Sequence, residues 1–190
     1  MGAMPKLWTE TIEAHRSSVA DAIMDKTAEL AAAEGLHTLT MARIAEEAGI
    51  GRATLYKYFG SVGEILTHWH QRQVSAHLEA LEDIRARTPN PLAALEAVLL
   101  AYAENARHNH GHALAAQLHA TPHMEKAHAH LQRFVADLIQ AATKAGELKD
   151  GNPPDELARF ALAAIAGAGA GGGKPTLKRL VALILRGLGA

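Results

Sequence analysis

The sequence predicts an all-α protein. An N-terminal three-helix domain with a helix-turn-helix precedes a C-terminal helical domain. Three observations predict it. Alanine and leucine dominate, β-branched runs are missing and aromatic residues make up only 4% of the chain, which favours helices over a sheet. Apolar residues recur at helical spacing in one segment after another. Between Thr40 and Phe59, two short periodic segments meet at a glycine, the arrangement that lays a second helix in the major groove of DNA.

The elements follow in order. Met1-Gly2-Ala3-Met4 reads as a cloning remnant ahead of a native Met4. A helix is expected over about 12–34, with Val19, Ile23 and Leu30 on one face and Gly35 as its stop. Thr40 is a candidate N-cap, because its hydroxyl can accept from the free amides of a first turn. Ile44 and Ala48 give the helix after it an apolar stripe. Gly49 stands where a helix ends in a left-handed residue, and Ile50 can plug the corner. A second short helix runs over about 52–59 with Leu55 and Phe59 inward. Gly60-Ser61 breaks the chain, and divides it into a helix-turn-helix DNA-binding domain, 1–60, and a helical effector-binding and dimerisation domain, 61–190.

The second domain begins with a long helix over 62–87, with Ile65, Leu66, Trp69, Ala76, Leu81 and Ile84 inward. Thr88-Pro89-Asn90-Pro91 ends it. A helix over about 91–108 carries Leu92, Leu95, Leu99 and Tyr102. After a turn at 109–111, a short helix is expected over 113–120. Pro122 opens another that reaches about 146 through Leu131, Phe134, Leu138 and Ile139. The loop 149–153 leads to two apolar helices, about 154–166 and 175–188, separated by the glycines of 167–173. The first carries Leu157, Phe160, Ala161, Ala164 and Ile165. The second carries Leu177, Leu180, Val181, Ile184, Leu185 and Leu188. Two such helices either complete a monomer core or pair with a second copy.

The outward face of the second short helix suits a groove. Stepping 100° per residue turns Ala53, Thr54 and Lys57 away from the core, with Arg52, Tyr56 and Tyr58 on the flanks. A small residue allows close approach, hydroxyls reach phosphates or base edges, and cations pair with phosphates. A merely structural hairpin has no need of Thr54, Tyr56, Lys57 and Tyr58 facing out.

The run TMARIAEEAGIGRATLYKYF, with Ala22, Ile23, Ala28 and Leu30 leading into Glu34-Gly35 and Leu39-Thr40, resembles the TetR family of bacterial transcriptional regulators. The TLYxxF core is characteristic, and the resemblance covers about a third of the chain. It implies DNA contacts from Thr40, Thr54, Tyr56 and Tyr58, with Tyr56 as a phosphate clamp. It places Arg52 and Lys57 at variable positions where base specificity is set. It also implies a homodimer, through a four-helix bundle of the last two helices, about 154–188, and hence a palindromic operator in double-stranded DNA. Two positions depart from the family pattern. Gly51 stands where a capping serine is common, and Val62-Gly63 where a lysine usually adds a phosphate contact.

The formal net charge is −1, so the grip on DNA is expected to rest on a local patch of Arg43, Arg52 and Lys57. Asp21, Asp25, Glu29, Glu46 and Glu47 must then face away from the duplex.

Twelve histidines are the second unusual feature. Trp69, His70, Gln73, His77, Tyr102, Asn105, Gln117, His119 and Phe134 mix apolar walls with a few polar groups, the pattern of a pocket for a small organic effector. His108, His110 and His112 crowd one turn of a His108–His130 cluster, which suggests a metal-responsive regulator as the alternative. Ordinary surface and core histidines are the third reading. No resident cofactor is expected, only a small-molecule effector of unknown identity.

Enzyme classes find little support. There is no nucleophile elbow and no HExxH, and the glycine run lacks the lysine and hydroxyl of a phosphate loop. Without cysteine, no disulfide framework exists. No stretch reads as a membrane span or secretory signal, so a cytoplasmic location is expected.

Overall fold

The structure is a computed structural model. It describes the backbone of residues 6–109, 122–149, 151–168 and 173–190, and the side chains of the same residues except 6–12, 108, 109 and 122. Eight α-helices and a short 3₁₀ turn are described, and no strand occurs among the described residues. They are α1 (Lys6–Glu34), α2 (Met41–Glu47), α3 (Arg52–Tyr58), α4 (Val62–Arg87), α5 (Pro91–Asn109), α6 (Pro122–Lys144), α7 (Pro154–Gly167) and α8 (Lys174–Gly187). The short helix expected over 113–120 lies outside the described residues.

The chain divides into two compact units, residues 1–72 and 73–190. The division falls within α4, not at the Gly60-Ser61 break: Ile65 and Leu66 of its first turns are buried, and the His68 ring lies 5.7 Å from that of Phe59.

In the first unit, Ile23, Met24 and Leu30 of α1 are buried, as are Leu39, Ile44, Ala45, Leu55 and Phe59. α1 begins at Lys6, earlier than its apolar spacing suggests. Residues 13–18 are exposed. A helix once nucleated gains one hydrogen bond for each residue added, with or without packing. It stops at Gly35, whose φ of 87° is left-handed. Arg72 ties α4 to α1 through Asp21 at 2.7 Å and through Asp25.

The second unit is built on α5 and α6, which pack on each other and on α7; α5 also packs on α8. Leu95, Val98, Leu99, Val135, Ile139, Ala158, Val181 and Leu188 are fully or almost fully buried there. Asn90 caps α5, its Oδ1 accepting from Ala93 N at 2.7 Å. Pro91 follows at the first helical position, where its missing N–H costs nothing. Glu147 accepts from Leu92 N at 3.1 Å and from the Asn90 amide, and so fixes the end of α6 against the start of α5.

Two apolar assignments are corrected. Ala76 is exposed, not inward. It precedes Leu81 by five positions, about 140° round the helix at 3.6 residues per turn. Phe160 is 50% exposed on α7, because Leu157, Ala158, Ala161 and Ile165 already fill the inward face.

Candidate nucleic-acid interface

Thr40 caps α2, its hydroxyl accepting from Arg43 N at 3.2 Å. Ile44 and Ala45 anchor the helix inward. Gly49 then turns the chain with a φ of 66°, a conformation that costs a residue with Cβ. Ile50 N donates to Ala45 O at 3.0 Å and locks the corner. Gly51 caps α3 with no side-chain hydrogen bond, as its departure from the family pattern implies.

α3 is short and held from one side. Leu55 is 0% exposed and Phe59 is buried just beyond the helix. Arg52, Ala53, Thr54, Tyr56 and Lys57 are all exposed, and Tyr56 reaches 56%. Among the described residues neither Arg52 nor Lys57 forms an ion pair. Tyr58 is half-buried, with the Arg16 guanidinium 5.9 Å over its ring. It therefore offers less to a groove than Tyr56 does.

The charge patch is smaller than the sequence suggests. Arg43 is paired with Glu47 at 3.0 Å, Glu34 at 3.4 Å and Glu46 at 3.9 Å. These carboxylates hold its guanidinium above the ordinary value, the Glu34 hydrogen bond contributing most. The free cations of the expected patch are thus Arg52 and Lys57. The other acids are likewise engaged: Asp21 and Asp25 by Arg72, and Glu29 by Lys26.

One device went unread. Ser61 Oγ accepts from Glu64 N at 3.1 Å, while Glu64 Oε2 accepts from Gly60 N at 2.7 Å. This is a close variant of the capping box, and Ser-Val-Gly-Glu carries its S-x-x-E signal in plain sight. It sets the start of α4 directly after the recognition helix.

Residues 23–67 match the family described as bacterial regulatory proteins, tetR family. The match covers the helix-turn-helix and parts of the helices on either side of it, about a quarter of the chain. That family is one of regulators of transcription, not of enzymes. An uncharacterised HTH-type transcriptional regulator of Haemophilus influenzae is 34% identical over 67 residues, 35% of this chain and 36% of that protein. The match thus spans about a third of that relative's length. Among solved structures, a TetR/AcrR-family regulator of Thermobifida fusca superposes with a TM-score of 0.79 at 21% identity, over 88% of this chain and 97% of that one. The regulator FadR of Bacillus subtilis, solved with stearoyl-CoA, gives 0.65 at 18% identity over 89% and 97%. At such identities the likeness is one of fold.

The expected effector residues are spread over both units. Trp69 and His70 belong to the first, where His70 is buried. Gln73, His77, Tyr102, Asn105 and Phe134 belong to the second. Gln73 is exposed and Phe134 is buried in the core. The rings of His77 and Tyr102 lie 6.3 Å apart, and burial pushes the imidazole down and the phenol up. Gln117, His119, His110 and His112 lie outside the described residues, as does the side chain of His108. Among the described residues no three metal-ligating side chains gather, and no helix is long and apolar enough to cross a membrane.

Proposed function

We propose that the chain is a homodimeric repressor that binds a palindromic operator and is released by a small-molecule effector. The observation that carries this reading is the split of α3: Leu55 sealed inside, with Arg52, Thr54, Tyr56 and Lys57 outside. Such a helix presents a base-reading and phosphate-gripping surface without loosening its own domain.

The dimer is supported by an apolar strip on the last two helices. Leu183 is 58% and Phe160 50% exposed. A Cβ built on Gly187 would meet the Phe160 ring at 3.3 Å, so that ring lies against α8, one turn from Leu183. A strip of this kind is covered by a partner more often than left in water. The effector reading is supported by the half-buried polar groups of the second unit, and by stearoyl-CoA in a neighbour of the same fold.

The mechanism is a population shift. Effector in the helical domain favours a setting of α4 that no longer presents both recognition helices to successive major grooves. By linkage, operator weakens effector binding by the factor with which effector weakens operator binding. Binding-site selection with the full chain tests the reading. A palindromic consensus bound by a dimer supports it, and recovery of no enriched sequence removes it.

A further inference from the structure

The recognition helix α3 has two flanks, and only one carries a cation of its own. Each position advances about 100° round the helix at 3.6 residues per turn. Measured from the buried Leu55, Arg52 and Tyr56 fall about 60° and 100° to one side. Tyr58 and Thr54 fall about 60° and 100° to the other. Ala53 and Lys57 lie between, opposite Leu55. A helix with its side chains is roughly 10–12 Å across and the major groove about 12 Å wide, so a phosphate strand runs along each flank. The first flank meets its strand with a guanidinium and a phenol. From α3 itself, the second offers only the hydroxyls of Thr54 and Tyr58.

A cation reaches the second flank from another helix. The Arg16 guanidinium of α1 lies 5.9 Å over the Tyr58 ring. Arg16 is exposed, and among the described residues it forms no ion pair. Glu13, one turn earlier on α1, lines the same groove as Arg16, Ser17, Tyr58 and His68, yet it is not paired with Arg16. The ring fixes where the charge stands, because the face of an aromatic attracts a cation. A guanidinium held in this way keeps its in-plane N–H donors for an oxyanion.

The position matters because other backbone contacts are weakened. Val62-Gly63 stands where the family resemblance implies a lysine, and Arg43 is taken up by Glu34, Glu46 and Glu47. Arg16 also lies upstream of residues 23–67, the stretch that matches the family. A role for it is therefore not carried over from that likeness.

We propose that Arg16 belongs to the DNA interface. It grips a phosphate of the strand beside Tyr58 and stands in for the lysine absent at Val62-Gly63. This rests on the DNA-binding reading above. A contact to phosphate adds affinity without sequence preference.

The test titrates the selected operator, and a scrambled duplex of equal length, with full-length wild-type, Arg16→Gln and Arg16→Lys proteins over a series of salt concentrations. Each lost phosphate contact lowers the slope of log affinity against log salt by about 0.9, so an Arg16→Gln dimer loses about two units. Both duplexes weaken by a similar factor, and the preference for operator is unchanged. Arg16→Lys keeps the charge and restores the slope. An Arg16→Gln protein with the wild-type slope overturns the inference, whatever its affinity. So does a loss confined to the operator, which makes Arg16 a reader of bases. A slope lowered equally in Arg16→Lys also overturns it, because the charge is then not what binds. Wild-type protein that binds neither duplex removes the DNA-binding reading itself, and the inference with it.

Discussion

Arg43 and Glu47, one turn apart on α2, form an ion pair of 3.0 Å at the edge of the recognition element. Glu34 and Glu46 close round the same guanidinium. One of the three cations of the expected patch is therefore neutralised within its own domain. A Glu34→Gln/Glu46→Gln/Glu47→Gln triple variant frees it. Operator binding then tightens, and the slope of log affinity against log salt steepens by about one unit per freed contact. A salt titration with an unchanged slope would show that Arg43 stays clear of the backbone.

The turn between α2 and α3 separates two glycines by their backbone. Gly49 has a φ of 66°, so Gly49→Ala costs roughly 1 kcal/mol although the space around it is open. Gly51 has a φ of −67° and a ψ of 144°, which any residue adopts, and a Cβ there meets Thr54 Oγ1 at an ordinary 3.8 Å. Gly51→Ser restores the missing cap and stabilises the domain by a few tenths to about 1 kcal/mol. Thermal melts of the two variants move in opposite directions.

His77 makes stability depend on pH. Burial lowers its proton affinity below the ordinary value of 6.5, so the unfolded chain takes up the proton at a higher pH than the folded one. Its contribution is complete above 6.5, falls as pH drops through that value, and levels off below the depressed folded value. In His77→Leu, the melting temperature falls less steeply than wild type between neutral and mildly acidic pH. Parallel curves would show that His77 is not the group responsible.

The exposed strip of Phe160 and Leu183 predicts the assembly. A Phe160→Asp/Leu183→Asp double variant sediments as a monomer at concentrations where wild type is a dimer. Its operator affinity falls by more than any single contact change achieves, because one half-site is lost. A variant that stays dimeric places the interface elsewhere.

How much of this was legible in the sequence depends on the range of the interaction. The α2–α3 turn was readable because its determinants are local: Thr40 and Gly49 act within a few residues of themselves, and Leu55 and Phe59 state the inward face by spacing. Helix ends marked by proline or glycine, such as Pro91 and Gly35, were readable for the same reason. The capture of Arg43 was only half visible. Glu46 and Glu47 lie within one turn, but Glu34 arrives from another helix. The placing of Arg16 over Tyr58 joins two helices, and no spacing rule links them. Phe160 was misread because apolar character does not say which side of a nearly apolar helix is already full.

The account stands on the exposed face of α3, and one measurement tests it most directly. The operator selected by the wild-type dimer is titrated with the Arg52→Ala and Lys57→Ala proteins at fixed salt, beside a scrambled duplex of the same length. Each loss is predicted to weaken the operator complex at least about tenfold, counted over two subunits, with the folded dimer intact. An operator affinity unchanged in both variants would contradict the account.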